Sequence, residues 1–138
     1  MKMIFKNKDV YIIRLDRGEK FLEKMRMIAK KVKMPGAWFW GIGAAEMLNI
    51  AFYDLKLKKY VTKQYRGVFE ILNITGNISK KGKEYFIHAH GTFSRPNYST
   101  IGGHIVDFRV GGTCEIYIAK LGSLKRGFDA KTGLNLLL

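Results

Sequence analysis

A chain of 138 residues, 47% of them hydrophobic, holds enough apolar material for one core and too much for a disordered polymer. Its 25 basic against 11 acidic residues give a net charge of +14, a field that draws polyanions such as nucleic acid or an acidic membrane surface and disfavours cationic partners. One cysteine excludes an internal disulfide, and no apolar run reaches transmembrane length, so no membrane insertion is expected.

The first residues, Met1-Lys2-Met3-Ile4-Phe5-Lys6-Asn7-Lys8, lack the apolar core of a signal peptide, so the expected compartment is the cytoplasm. Val10 to Leu15 reads as a short strand, apolar on both faces as in the middle of a sheet, and Asp16-Arg17-Gly18 breaks it. From Glu19 to Lys33, residues Phe21, Leu22, Met25, Ile28, Ala29 and Val32 fall at helical spacing with lysines opposite, and Met34-Pro35-Gly36 stops that helix. Ala37 to Ile42 begins a buried strand. Gly41-Ile42-Gly43 lacks the third glycine of a dinucleotide loop and leads toward another strand.

Met47–Asp54 and Lys58–Tyr65 form a hairpin around Leu55-Lys56-Leu57. Its second arm interleaves Lys58, Lys59, Tyr60, Lys63, Tyr65 and Arg66, which either contact phosphates and stack on bases or keep an edge strand from aggregating. Gly67 to Ser79 continues as a strand, and Lys80-Lys81-Gly82-Lys83 turns it back. Glu70 is an acid in an apolar strand and needs a partner, either an arginine or an imidazole that it orients. Further on, Gly111-Gly112 turns into a strand from Thr113 to Ala119, with Cys114 as a core residue, and the tail from Arg126 to Leu134 carries turn chemistry. The expected architecture is α+β: a single domain over residues 1–138 with one main amphipathic helix and a mixed, mostly antiparallel sheet.

All three histidines lie between Glu84 and His104. If Glu84 to Phe93 is a strand, His88 and His90 project from one face while Tyr85, Ile87 and Ala89 take the other. A return strand through His104, Val106 and Phe108, after the Gly102-Gly103 connection, brings a third imidazole beside them. Three nitrogens with an open fourth position is the usual catalytic zinc arrangement, and imidazole also suits copper, iron or nickel. The expected cofactor is a divalent metal, with zinc first; the alternative is three half-buried polar side chains. His-x-His alone is a weak signal.

Several segments together resemble the plant and prokaryote conserved (PPC) domain family: Arg14-Leu15 with Gly18-Glu19, Gly41-Ile42-Gly43-Ala44, Phe69-Glu70-Ile71-Leu72 with Thr75-Gly76-Asn77-Ile78-Ser79, His88-Ala89-His90, Gly102-Gly103-His104, Val110 with Thr113 and Glu115, and Arg126 with Asp129 and Thr132-Gly133-Leu134. The resemblance implies a single domain that assembles as a homotrimer and a metal unit on His88, His90 and His104. It also implies a partner-interaction segment at Gly67, Phe69, Glu70, Ile71 and Leu72, where Val68 stands in place of the plant members' arginine. In plants the domain accompanies AT-hook motifs in nuclear DNA-binding proteins. No Arg-Gly-Arg-Pro core occurs here, so the chain is similar to the stand-alone prokaryotic form.

Three functions are therefore expected to compete. The first is a trimeric DNA-binding or regulatory domain that meets DNA mainly through phosphates and carries a three-histidine metal site. The alternative is a metal-dependent enzyme or a sensor of a small anionic ligand, with the triad beside Arg95, Arg109 or Arg126 and a carboxylate from Glu70, Glu84 or Glu115. A third is a trimer whose metal only stabilises the fold.

Overall fold

The computed structural model describes residues 1–138, in the order β1 (Lys2–Lys6), β2 (Val10–Asp16), α1 (Phe21–Lys31), β3 (Gly36–Asp54), β4 (Lys59–Lys81), β5 (Glu84–Ser94), β6 (Thr100–Leu121), β7 (Arg126–Asp129) and β8 (Leu134–Leu137). Six strands form one sheet in the order β1-β2-β6-β3-β4-β5, and β5 pairs again with β6. At 22 residues, β6 is long enough to pair with β3 from His104 to Leu121, with β2 through its second half and with β5 through its first residues, Thr100 to His104, so part of the sheet closes on itself. Every strand pairing is antiparallel, and the only parallel contact is the isolated bridge Lys80–Lys125.

Several expected strands fuse. Ala37–Ile42 and Met47–Asp54 are two parts of the 19-residue β3, and the expected strands Lys58–Tyr65, without Lys58 itself, and Gly67–Ser79 belong to the 23-residue β4. The glycines that read as punctuation sit at β-bulges. Gly111-Gly112 is not a turn: β6 runs through it, and the register shifts between the Gly43–Cys114 and Ala45–Val110 pairs. Glycine is needed there because the two backbones come close. A Cβ on Gly111 would stand 3.1 Å from the Ala45 carbonyl carbon, and one on Gly43, at φ +148°, would overlap the Thr113 carbonyl oxygen.

α1 starts two residues later and ends two earlier than the periodicity suggests. Lys20 offers no side-chain cap; instead Asp107 of β6 accepts a hydrogen bond from Leu22 N–H at 3.1 Å. At the other end Lys33 takes φ +49°, and Met34 N–H reaches the Ala29 carbonyl at 2.9 Å, a Schellman closure just before Pro35. The helix lays Phe21, Met25, Ile28 and Ala29 on the inward face of the sheet, where Phe21 stacks on Phe108 with centroids 4.8 Å apart. Covering a side chain of this size contributes roughly 2–3 kcal/mol. Cys114 is buried in the same core, and burial, then Glu115, pushes its thiol up to about 12, so it is inert.

β3 is buried on one face only. Ala37 and Phe39 point inward, whereas Trp38, Trp40 and Ile42 are 36%, 45% and 58% exposed. β1 and the β7–β8 hairpin were not evident from the sequence: β1 is exposed along its length, and the hairpin's strands have four residues each. No helix is long and apolar enough to cross a membrane.

Candidate metal centre

Alternation along paired strands builds the site. Val10, Ala119, Trp38, Asn77 and His88 are successive cross-strand partners, and so are Phe5, Ile12, Tyr117, Trp40, Thr75, His90 and His104. Directly paired residues share a face, so both rows lie on the outer face of the sheet and run into the histidines. The inward residues of β5, Ile87, Ala89 and Phe93, are buried in the core and fix this orientation.

The three imidazole centroids lie 5.1, 5.2 and 5.3 Å apart, and each ring offers one nitrogen within 4.8 Å of the others. His88 and His104 are half-buried and His90 is exposed. Burial, followed by the charges of Arg126, His104 and His90, pushes His88 down to about 4. Burial and then His90 do the same for His104, also to about 4. Both rings are neutral at pH 7, the state a metal ligand requires.

His104 Nδ1 is buried without a hydrogen-bond partner, an arrangement that costs about 1–3 kcal/mol unless something meets it. Such an orphaned nitrogen beside two other imidazoles fits a metal. The other face of the ring is covered by Tyr60, stacked at 4.6 Å, and Tyr60 in turn meets Tyr53 at 4.8 Å. Burial, then Tyr53, raises the Tyr60 phenol, with Arg126 opposing.

The β7–β8 hairpin folds over this site. Arg126 Nε donates to Ser79 Oγ at 2.8 Å, Nη1 to the Asn135 carbonyl at 2.6 Å, and Nη2 to Asn77 Oδ1 at 2.9 Å, while the guanidinium lies 4.8 Å from the Phe86 ring centroid. Nη2 also lies 3.3 Å from His88 Nδ1. A guanidinium can only donate, so Nδ1 accepts and the neutral ring carries its proton on Nε2. A metal taken through Nδ1 would compete with Arg126; one taken through Nε2 would turn an N–H toward it. Two further hydrogen bonds tether the hairpin, Tyr53 Oη to the Thr132 carbonyl and Lys58 Nζ to the Ala130 carbonyl, both 2.7 Å. Between hairpin and sheet lies a cleft of about 710 Å³, lined by the triad, Tyr53, Tyr60, Lys58, Lys59, Arg126 and Asn135 among others.

The other candidate residues divide. Lys58, Lys59 and Tyr60 line the cleft, but Lys63, Tyr65 and Arg66 lie further along β4, about 20 Å separating Tyr60 from Arg66 at 3.3 Å per residue. Tyr65 is half-buried, with Lys63 and Arg95 over its ring. In the Gly67–Leu72 segment Phe69 and Ile71 are core, whereas Glu70 and Leu72 face outward. Glu70 therefore needs no partner. It makes no ion pair, and its neighbours across the strands are Ala44 and Ser94, not a histidine or arginine. Arg95 binds Ser99 and Arg109 binds the Gly18 carbonyl, both away from the triad. No carboxylate lines the cleft: Glu84 pairs with Lys81, and Glu115 with Arg14 and Ile42. In the sequence Arg126 stood as one of three arginines for an anion and, with Asn77 and Ser79, in the segments of the family resemblance; nothing there marked Asn77, Ser79 and Asn135 as the residues that hold it.

The family model of the Plants and Prokaryotes Conserved domain matches residues 4–122, which leaves the β7–β8 hairpin outside the match. Among solved structures, the chain is similar to a proposed DNA-binding protein of Bacteroides thetaiotaomicron, with TM-score 0.93, 27% identity, and 97% of this chain and 94% of that one covered. A proposed DNA-binding protein of Ralstonia eutropha gives TM-score 0.89 and 32% identity over the same shares, 97% and 94%. A metal-containing protein of Archaeoglobus fulgidus gives TM-score 0.89 and 29% identity, with 100% and 99% covered. No curated protein sequence matches. On the family match, which takes in both His88-Ala89-His90 and Gly102-Gly103-His104, the chain belongs to the Plants and Prokaryotes Conserved domain family.

Proposed function

We propose that the protein is a homotrimeric DNA-binding or regulatory domain that carries a divalent metal, zinc first, on His88, His90 and His104. The convergence of three imidazoles, one of which, His104, has its buried Nδ1 without a partner, is the observation that carries the metal half. Bound there, the ion would supply positive charge and an open coordination position. The net charge of +14 and the names of the relatives in Bacteroides and Ralstonia support the DNA half. Contacts run to phosphates, from Lys58, Lys59, Lys63 and Arg66, with Tyr60 and Tyr65 beside them; no base-reading helix is available, because α1 spends one face on the core. The segment Gly67, Phe69, Glu70, Ile71 and Leu72 presents Glu70 and Leu72 to a partner.

A second reading, a sensor of a small anion, is favoured by one feature: Arg126 stands in the cleft with no carboxylate beside it. For the main reading, tag-free protein is titrated with zinc and then with AT-rich and GC-rich duplexes by fluorescence anisotropy. One zinc per chain, lost in a His88→Ala, His90→Ala double variant, is expected. DNA affinity should fall about a thousandfold from 50 to 200 mM salt if about six phosphates are neutralised, alike for both duplexes. Zinc content unchanged in the double variant refutes the metal half, and no DNA binding at 50 mM salt refutes the DNA half.

A further inference from the structure

The cleft at the triad does not end at the histidines. β5 and β6 pair only where His90 to Ser94 meet Thr100 to His104; beyond His104 the two strands part. The parting opens a groove of about 320 Å³ toward α1, lined by Leu22, Tyr85, Ile87, Ile105 and Val106 among others. Ile87 and Ile105 are core residues, so the groove is floored by the core, whereas Val106 remains 37% exposed. Tyr60, Phe86 and His104 line both the groove and the cleft, so the two cavities are contiguous.

One end of the joined space is apolar and the other is cationic. Lys58, Lys59 and Arg126 line the cleft and Arg26 lines the groove, with no carboxylate in either. Arg126 spends Nε on Ser79, one Nη1 proton on the Asn135 carbonyl, and Nη2 on Asn77 and His88. That leaves a single N–H, on Nη1, for a ligand. Lys58 Nζ gives one proton to the Ala130 carbonyl and keeps others free. A lone guanidinium N–H cannot grip a phosphate with the two-pronged geometry that makes arginine a phosphate binder; beside the triad it suits a singly charged carboxylate.

From these joined cavities we infer that the protein binds a small monocarboxylate with an apolar tail, its head at Arg126 beside the triad and its tail in the groove between β5, β6 and α1. The inference rests on the anion-sensor reading and names its ligand class. Spaces of about 710 and 320 Å³ are of the size that small-molecule sites have. An apolar tail also explains what the anion reading alone does not, a groove of core side chains left open next to a polar site.

The test is calorimetric titration of tag-free protein at pH 7 with butyrate, hexanoate, octanoate, octanamide and inorganic phosphate. Each methylene placed in the groove should tighten binding about threefold to fourfold, which makes octanoate about a hundredfold tighter than butyrate. Octanamide, uncharged and of the same length, should bind at least tenfold more weakly than octanoate. Val106→Trp should fill the groove and flatten the dependence on chain length. Thr62→Trp, which enters the same groove from β4, should act alike, so a folding defect in one variant leaves the other as a test. No binding of phosphate or of any carboxylate overturns the anion-sensor reading and this inference together. Phosphate or butyrate bound as tightly as octanoate leaves the sensor reading standing and overturns the ligand class. Octanamide as tight as octanoate, or a chain-length dependence that survives both tryptophan substitutions, refutes the placement of head and tail and with it the inference.

Discussion

Acidification should destabilise the metal-stripped protein in a window set by two histidines. In the folded chain His88 and His104 titrate near 4, against an ordinary value of 6.5, so between these limits the unfolded chain binds more protons than the folded one. A folded-state pKa below the unfolded value gives stability that is fully present above pH 6.5, declines as pH falls through it, and is gone by about pH 4. A depression of about 2.5 units corresponds to roughly 3.4 kcal/mol per ring at 1.36 kcal/mol per unit. Both rings are partly exposed to screening solvent and repel each other only when both are charged, so the sum is reduced to about 3 kcal/mol. About 2 kcal/mol of that should be lost between pH 6.5 and 5, where ordinary carboxylates remain ionised. At roughly 4 °C per kcal/mol, the midpoint of thermal unfolding should fall by about 8 °C. The assay is circular dichroism of EDTA-treated, tag-free protein, melted at half-unit steps from pH 7.5 to 4.5. A midpoint that is flat from pH 7 to 5 would show that the imidazoles are not held neutral by burial, and the account of the site would fall with it. Zinc at a hundred times its dissociation constant should add about 2.7 kcal/mol at pH 7 and progressively less on acidification, because protons compete for the same nitrogens.

Gly76→Ala should damage fold and site together, since the new Cβ would overlap the His88 carbonyl oxygen and stand 2.6 Å from the Phe39 ring. Urea unfolding should report a loss of about 3 kcal/mol, and calorimetry a zinc affinity at least tenfold weaker. Arg126→Met should separate the two: zinc should bind several-fold tighter and the His88 titration followed by NMR should move up, because the guanidinium at Nδ1 is gone. Stability should meanwhile fall by about 2–3 kcal/mol as Asn77 and Ser79 lose their donor.

The sequence made the face of the histidines legible, since an i, i+2 pair in a strand can only share one side, and Ile87 and Ala89 supply the opposite apolar side. The helix was legible for the same reason at its own period; its ends were not, because Asp107, a residue of a distant strand, supplies the cap. Strand lengths failed at Gly41, Gly43, Gly67 and Gly111-Gly112. Glycine permits a reversal and a bulge equally, and only the partner strand decides between them. Trp38 and Trp40 read as buried because they are large and apolar, although their alternation with Ala37 and Phe39 already placed them on the other side. The role of Arg126 had no local signal: its contacts to Asn77, Ser79 and His88 span 38 to 49 residues.

The geometry of the triad is imposed by the core rather than by a metal. His88 and His90 face outward because Ile87, Ala89 and Phe93 must face inward, and a one-residue slip of β5 would bury imidazoles and expel all three apolar residues. The cluster that enforces this register contains 26 buried residues and none of the histidines. Zinc fingers represent the opposite case, where the ligands are brought together by the ion and the chain unfolds without it. Here the three nitrogens should be in place before the metal arrives, so its removal by EDTA at pH 7.5 should leave the far-ultraviolet spectrum and the cooperativity of unfolding unchanged, with only the midpoint lowered. A stripped chain that loses its strand signal at that pH would mean that the ion organises the sheet, and the metal would then be structural rather than a site held open for a ligand.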